Sequence, residues 1–221
     1  MPKKKRTKAT RVVLPVFRIF CEGEKTEPLY IKGYINHFHS EKRNILVVEK
    51  TNKNTPVQLV EVAIEAKKSG NTNDIVWVVF DREAVSKYSH ELHAQARQKA
   101  DANGIEIAFS NVCFEYWILL HFNFTAASYS SCANLLKESN LKSDIKTIEI
   151  NDYDKGLVIL FDKLKEKVPT AIKNAKKLKN QVIKSATSGN LTPHKINPYI
   201  DVHELFIDMG NFINGEASIR A

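Results

Sequence analysis

Six apolar residues follow one another from Ile75 to Phe80, and the run stops at Asp81-Arg82-Glu83. A strand that is apolar on both faces belongs in the middle of a parallel sheet. Val16 to Cys21 is a second strand-like run, and it stops at Glu22-Gly23-Glu24. Ile45-Leu46-Val47-Val48 and Ile105 to Phe109 are two more. Between these runs the apolar spacing becomes helical. Ile31, Tyr34, Ile35 and Phe38 recur at helical intervals after Thr26, which can cap a helix whose first turn tolerates Pro28. Thr55-Pro56 reads as an N-cap followed by proline at the first helical position. Val57, Val60, Ala63 and Ile64 form the apolar face of that helix, and Gly70-Asn71 ends it. A polar helix from about Ser86 to Asn103 ends at Gly104.

The alternation predicts an α/β fold: a Rossmann-like parallel sheet of about four strands with helices on both faces. After Phe114–Phe124, which fits a helix but is aromatic enough for a strand, the rhythm is lost. Residues 128–140 read as helical and 145–150 as a short strand. A helix near Pro169 carries Ala171, Ile172, Ala175, Leu178 and Val182 on one face and Lys173, Lys176, Lys177 and Lys184 on the other. Ser185–Pro198 reads as a loop and Asp201–Phe212 as a last helix. The division expected is a basic arm at 1–11, an α/β domain at 12–125 and a mainly helical region packed on it at 126–221.

The chain has 221 residues, enough for one good core, and a formal net charge of +8. Much of that charge lies in the first eleven residues, and it suits a polyanionic partner, nucleic acid first. The lysine face at 173–184 suits phosphate-backbone contact. No apolar stretch is long enough to span a bilayer and no signal-peptide region is seen, so a cytoplasmic protein without a membrane partner is expected. Cys21, Cys113 and Cys132 lack metal-ligand spacing and are expected as reduced thiols.

The chemistry is expected at the strand ends. Active sites of open parallel sheets form outside the carboxyl ends of the strands, and acidic residues there can hold a hard divalent cation over a phosphate. Glu22 follows directly on a buried strand, while Glu24 and Glu27 lie on the loop and first helical turn, where acids also favour a helix N-terminus. Asp81 and Glu83 are two apart and can converge, with Arg82 pointing away. Two such carboxylates repel without a cation, so Mg²⁺ or Mn²⁺ is the expected cofactor. Glu115, among Phe114, Trp117, Ile118 and His121, is either on the solvent side of a helix or enclosed as a ligand or supporting group; Asn111 could assist. Lys25 and Lys155 could stabilise charge on a phosphate. His37-x-His39 and His90-Glu91-Leu92-His93 match no zinc pattern, and neither a P-loop nor a Gly-x-Ser-x-Gly elbow is present.

A strand ending in Glu-Gly, with a later strand ending in Asp-x-Asp, resembles the Toprim domain of topoisomerases, primases and OLD-family nucleases. Cys21–Pro28 (CEGEKTEP), Val79–Glu83 (VFDRE), Ser110–Trp117 (SNVCFEYW) and Asn197–Leu205 (NPYIDVHEL) resemble the RloB-like family, including AbiLii-type phage-resistance proteins. The resemblance implies a Toprim-like fold and a metal-dependent nuclease, acting on DNA or RNA (transfer RNA included) in defence against phage beside an ABC-type ATPase. Glu22 then matches the Toprim glutamate, and Asp81 and Glu83 match the Asp-x-Asp pair, with Glu replacing the second Asp. Glu22, Asp81, Glu83 and Lys25 are the expected catalytic residues, with Glu24 or Glu115 as further metal ligands. Two alternatives use the same features: a non-catalytic nucleic-acid-binding or regulatory subunit, and nucleotidyl transfer.

Overall fold

The computed structural model describes residues 14–53, 55–84, 86–185 and 191–216. The basic arm at 1–11 lies outside the described residues. The first half runs β1 (Phe17–Cys21), α1 (Thr26–Phe38), β2 (Leu46–Glu49), α2 (Pro56–Ser69), β3 (Ile75–Asp81), α3 (His90–Ala102) and β4 (Glu106–Asn111). The second runs α4 (Glu115–Leu119), α5 (Cys132–Glu138), α6 (Leu141–Lys146), α7 (Leu160–Leu164), α8 (Val168–Ser185), β5 (Tyr199–Ile200) and α9 (Val202–Asn214).

The sheet order is β2-β1-β3-β4-β5. The first four strands are parallel, and β5 pairs antiparallel with β4 through Ser110↔Ile200 and Asn111↔Tyr199. The four expected strands are therefore joined by a fifth, short one from the C-terminal part. Right-handed crossovers put α1 on one face and α2 and α3 on the other, and α2 packs on α3. The face of α1 is closed by α9: Trp117 stacks on Phe206, Tyr34 meets Phe206 at 4.4 Å, and Trp77 Nε1 donates to Asp208 Oδ2 at 3.0 Å. Strand β3 is buried along nearly its whole length, as its unbroken apolar run requires.

The helix signals hold with small shifts. Thr55 Oγ1 accepts from Gln58 N–H, with Pro56 opening α2. Ser89 caps α3, and Gly104 follows it at φ 60°. Lys25 rather than Thr26 is the N-cap of α1, with no side-chain cap, and Thr26 is buried instead. The expected strand at 145–150 is not formed. Ile145 ends up buried on α6, and the turn after it passes through Glu149 at φ 64° before burying Ile150, so the isoleucines serve the core without pairing.

Candidate functional site

Parallel pairing puts the carboxyl ends of β1, β3 and β4 at one sheet edge, and the strand order reverses between β1 and β3. That reversal opens a crevice above the strand ends. The Glu22 N–H donates to Val79 O at 2.9 Å, which holds Glu22 beside the end of β3. Beyond β3, Arg82 N–H bonds Ser110 O at 2.7 Å and Glu83 N–H bonds Val112 O at 3.0 Å. Glu83 itself takes φ 54°, an uncommon conformation for a non-glycine residue.

The crevice is a cavity of about 460 Å³. It brings together Glu22, Glu24, Lys25, Glu27, Asp81, Glu83, Glu115 and Lys155, all named in the sequence, with Lys87 and Tyr88. Six carboxylates thus face three lysines, and the excess negative charge favours a cation. Asn111 is not part of this lining. It is buried, and its amide donates to Ile196 O at 2.6 Å, which ties β4 to the segment before β5.

Each carboxylate has its own surroundings. Asp81 is 5% exposed; its Oδ2 accepts from the Phe114 N–H at 3.0 Å, while its Oδ1 is buried with no hydrogen-bond partner among the described residues. Burial, then the charges of Glu27, Glu115 and Glu22, push the Asp81 carboxyl well above the usual carboxylate range. Glu22 is raised to about 7, first by burial; the Tyr88 hydroxyl bonded to it and the nearby Lys87 oppose the rise. Glu27 is also raised, by burial and by Glu115. Its carboxylate lies against Gly23, where a Cβ would stand 2.6 Å from Glu27 Oε2, so the glycine supplies the space. Glu83 pairs with Lys87 at 3.1 Å, and Glu24 is exposed at the rim.

Glu115 is 1% exposed and therefore enclosed. Its Oε1 accepts from Tyr153 Oη at 3.0 Å and lies 3.5 Å from Lys155 Nζ, and its Oε2 accepts from Cys132 Sγ at 3.2 Å. Burial lowers the Lys155 pKa, but Glu115, Cys132, Cys113 and Asp81 together raise it above that of an ordinary lysine. Lys155 is followed by Gly156 at φ 91°, packed on Lys25, so the loop 153–156 closes this wall of the cavity.

Arg82 points away from the cavity as expected. It is buried, donating to His194 O and Tyr88 O at 3.0 and 2.7 Å. His93 stacks on His194 beneath it, and both are lowered to about 4, first by burial, so these histidines stay neutral in the core. Lys173, Lys176, Lys177 and Lys184 lie away from the cavity on the exposed face of α8, where they line a groove of about 700 Å³ with Asn180 and Gln181. Lys177 Nζ sits 4.0 Å over the Phe124 ring.

Tyr88, Lys87, Tyr153 and the closeness of Glu27 were not read from the sequence. Tyr88 and Tyr153 stand in turns without periodicity, and an acid in the first turn of a helix has an ordinary electrostatic explanation.

Glu22, Asp81 and Glu83 offer only oxygen donors, the type taken by hard divalent cations, and share the cavity lining, although among the described residues the three do not stand together within 4.8 Å as a ready-made ligand group. The partnerless Asp81 Oδ1 fits such an ion, because a buried polar atom without a hydrogen bond is costly. No helix among the described residues is long and apolar enough to cross a membrane. No curated protein and no solved structure matches the chain. The family model described as RloB-like protein matches residues 17–209, from the first strand to the last helix and including every strand that shapes the cavity, and the chain belongs to the RloB-like family.

Proposed function

We propose that the protein is a nuclease that hydrolyses phosphodiester bonds of DNA or RNA with Mg²⁺ or Mn²⁺, in defence against phage beside an ABC-type ATPase. One observation carries the chemical part: a buried aspartate oxygen without a partner, at the end of the central strand, with Glu22, Glu27 and Glu115 acting on it. Glu22, Asp81 and Glu83 would hold the ion, with Glu24 in reach from the rim. When bound, the ion supplies Lewis-acid polarisation of a phosphate and a more acidic water.

The remaining roles fall to the chain. Glu22, raised to about 7 in the metal-free chain, would give up its proton when it ligates a divalent ion, because the cation favours the ionised carboxylate. Tyr88 orients it, and Lys87 steadies Glu83. Lys25 and Lys155 line the cavity and would meet a phosphate there. The lysines of α8 would bind backbone at a distance from the cavity. The ATPase partner and the role in defence rest on the family resemblance.

The test is cleavage by the purified chain, with and without the partner ATPase, of plasmid, single-stranded DNA and total RNA. Mg²⁺ or Mn²⁺ should support cleavage of at least one substrate and EDTA should stop it. Binding without cleavage under all these conditions would favour the regulatory-subunit reading.

A further inference from the structure

Cys113 and Cys132, which show no ligand spacing in the sequence, meet beside the acidic cavity. Cys113 is fully buried in the turn between β4 and α4, and Cys132 is the half-buried first residue of α5. Cys132 Sγ donates to Glu115 Oε2 at 3.2 Å. One donor atom each from Cys113, Glu115 and Cys132 lies within 4.8 Å of the other two.

Two thiolates about 2.3 Å from one tetrahedral ion stand roughly 3.8 Å apart, so these donors are already near ligating positions. The donor chemistry differs from that of the Glu22–Asp81–Glu83 cluster. Oxygen ligands suit Mg²⁺ and Mn²⁺, whereas thiolates select softer ions such as Zn²⁺. Charge is consistent as well: the two thiolates and the carboxylate carry three negative charges, matched by one divalent ion and the Lys155 ammonium 3.5 Å from Glu115. Tyr153 bonds the other carboxylate oxygen and so fixes the orientation of Glu115, as outer-shell partners of metal ligands do.

We propose that Cys113, Cys132 and Glu115 form a Zn²⁺ site in the wall of the acidic cavity, separate from the oxygen cluster. Binding displaces the thiol protons to solvent, including the one that Cys132 shares with Glu115 Oε2, and that oxygen then faces the ion. Three protein ligands leave one position of a tetrahedral ion open. The site would brace the start of α5 against α4 and hold Glu115 in place.

The probe is Co²⁺ added to the full-length chain after chelator stripping and reduction. One equivalent should give a thiolate-to-cobalt charge-transfer band and the strong visible bands of tetrahedral Co²⁺, and Zn²⁺ should displace it. Cys132→Ser leaves only the Cys113 thiolate and should lower the charge-transfer intensity and weaken Zn²⁺ affinity at least about tenfold, the scale of losing an outer-shell partner alone. Cys132 is only half-buried, so this variant should keep its circular dichroism and carry the test even where Cys113→Ser fails to fold. Glu22→Gln and excess Mg²⁺ should leave the band unchanged, which separates this site from the proposed nuclease centre. No charge-transfer band in the parent, or a Cys132→Ser protein whose band intensity and Zn²⁺ affinity both match the parent's, overturns the proposal.

Discussion

Asp81 accepts the Phe114 N–H with one carboxylate oxygen at 3.0 Å and keeps the other buried without a partner among the described residues. The bond ties the end of β3 to the start of α4, so the residue that closes the central strand also positions the segment carrying Glu115. A carboxylate used only as a structural acceptor would not need its second oxygen withdrawn from water among other acids, since burial and like charge both penalise its ionised form.

Gly23→Ala should separate fold from site. The new Cβ would meet Glu27 Oε2 at 2.6 Å, and that atom is the end of a flexible side chain that can swing away. The variant should unfold within about 1 kcal/mol of the parent, the scale of glycine-to-alanine changes, while divalent-ion affinity falls. Paired thermal melts and Mn²⁺ titration check this; unchanged Mn²⁺ affinity would show that Glu27 does not matter to the site.

Glu22→Gln should stabilise the metal-free protein at neutral and higher pH. Glu22 titrates near 7 in the folded chain against an ordinary value of 4.5, so over that interval the folded state binds more protons than the unfolded one. Stability of the parent therefore falls as pH rises from about 4.5 to about 7, through this group. The variant should gain on the order of 2 kcal/mol above pH 7 after allowance for solvent screening, and nothing below about pH 4.5. Urea melts across pH check the sign.

Tyr88→Phe removes a hydroxyl that lowers the Glu22 pKa. If Glu22 must be ionised to act, the acidic limb of the pH–rate profile should move to higher pH, with a smaller change on the plateau. An unshifted limb would assign that limb to another group.

The strand ends were legible because an apolar run closing on a carboxylate can be read without knowing the neighbours. Glu22 and Asp81 were found this way, and Glu115 was marked by its aromatic surroundings. What the sequence hid depends on contacts distant along the chain. Tyr153 and Lys155 reach Glu115 from a loop that passes through Gly156, and Cys132 reaches it from α5. Strand β5 has only two residues between cis Pro198 and α9, too few for alternation to register. Ile148 and Ile150 alternate as strand residues do, yet they belong to the turn after α6.

Replacing Lys173, Lys176, Lys177 and Lys184 by Gln should lower the slope of log affinity against log salt. Each lysine that neutralises a duplex phosphate contributes about 0.9 to it. A drop of roughly 2–4 is expected with Mn²⁺ binding intact, since these lysines lie apart from the cavity. Filter binding over a salt series measures it, and an unchanged slope would leave this face a solvated surface.

The decisive experiment compares the parent with Asp81→Asn for cleavage in vitro and protection of cells against phage. The substitution keeps the acceptor for the Phe114 N–H and removes only the charge. The fold, judged by circular dichroism and melting, should persist, while cleavage falls by about 10²-fold or more, the scale of several kcal/mol of lost charge stabilisation, and protection disappears with it. A well-folded Asp81→Asn protein that cleaves and protects like the parent would contradict the nuclease assignment.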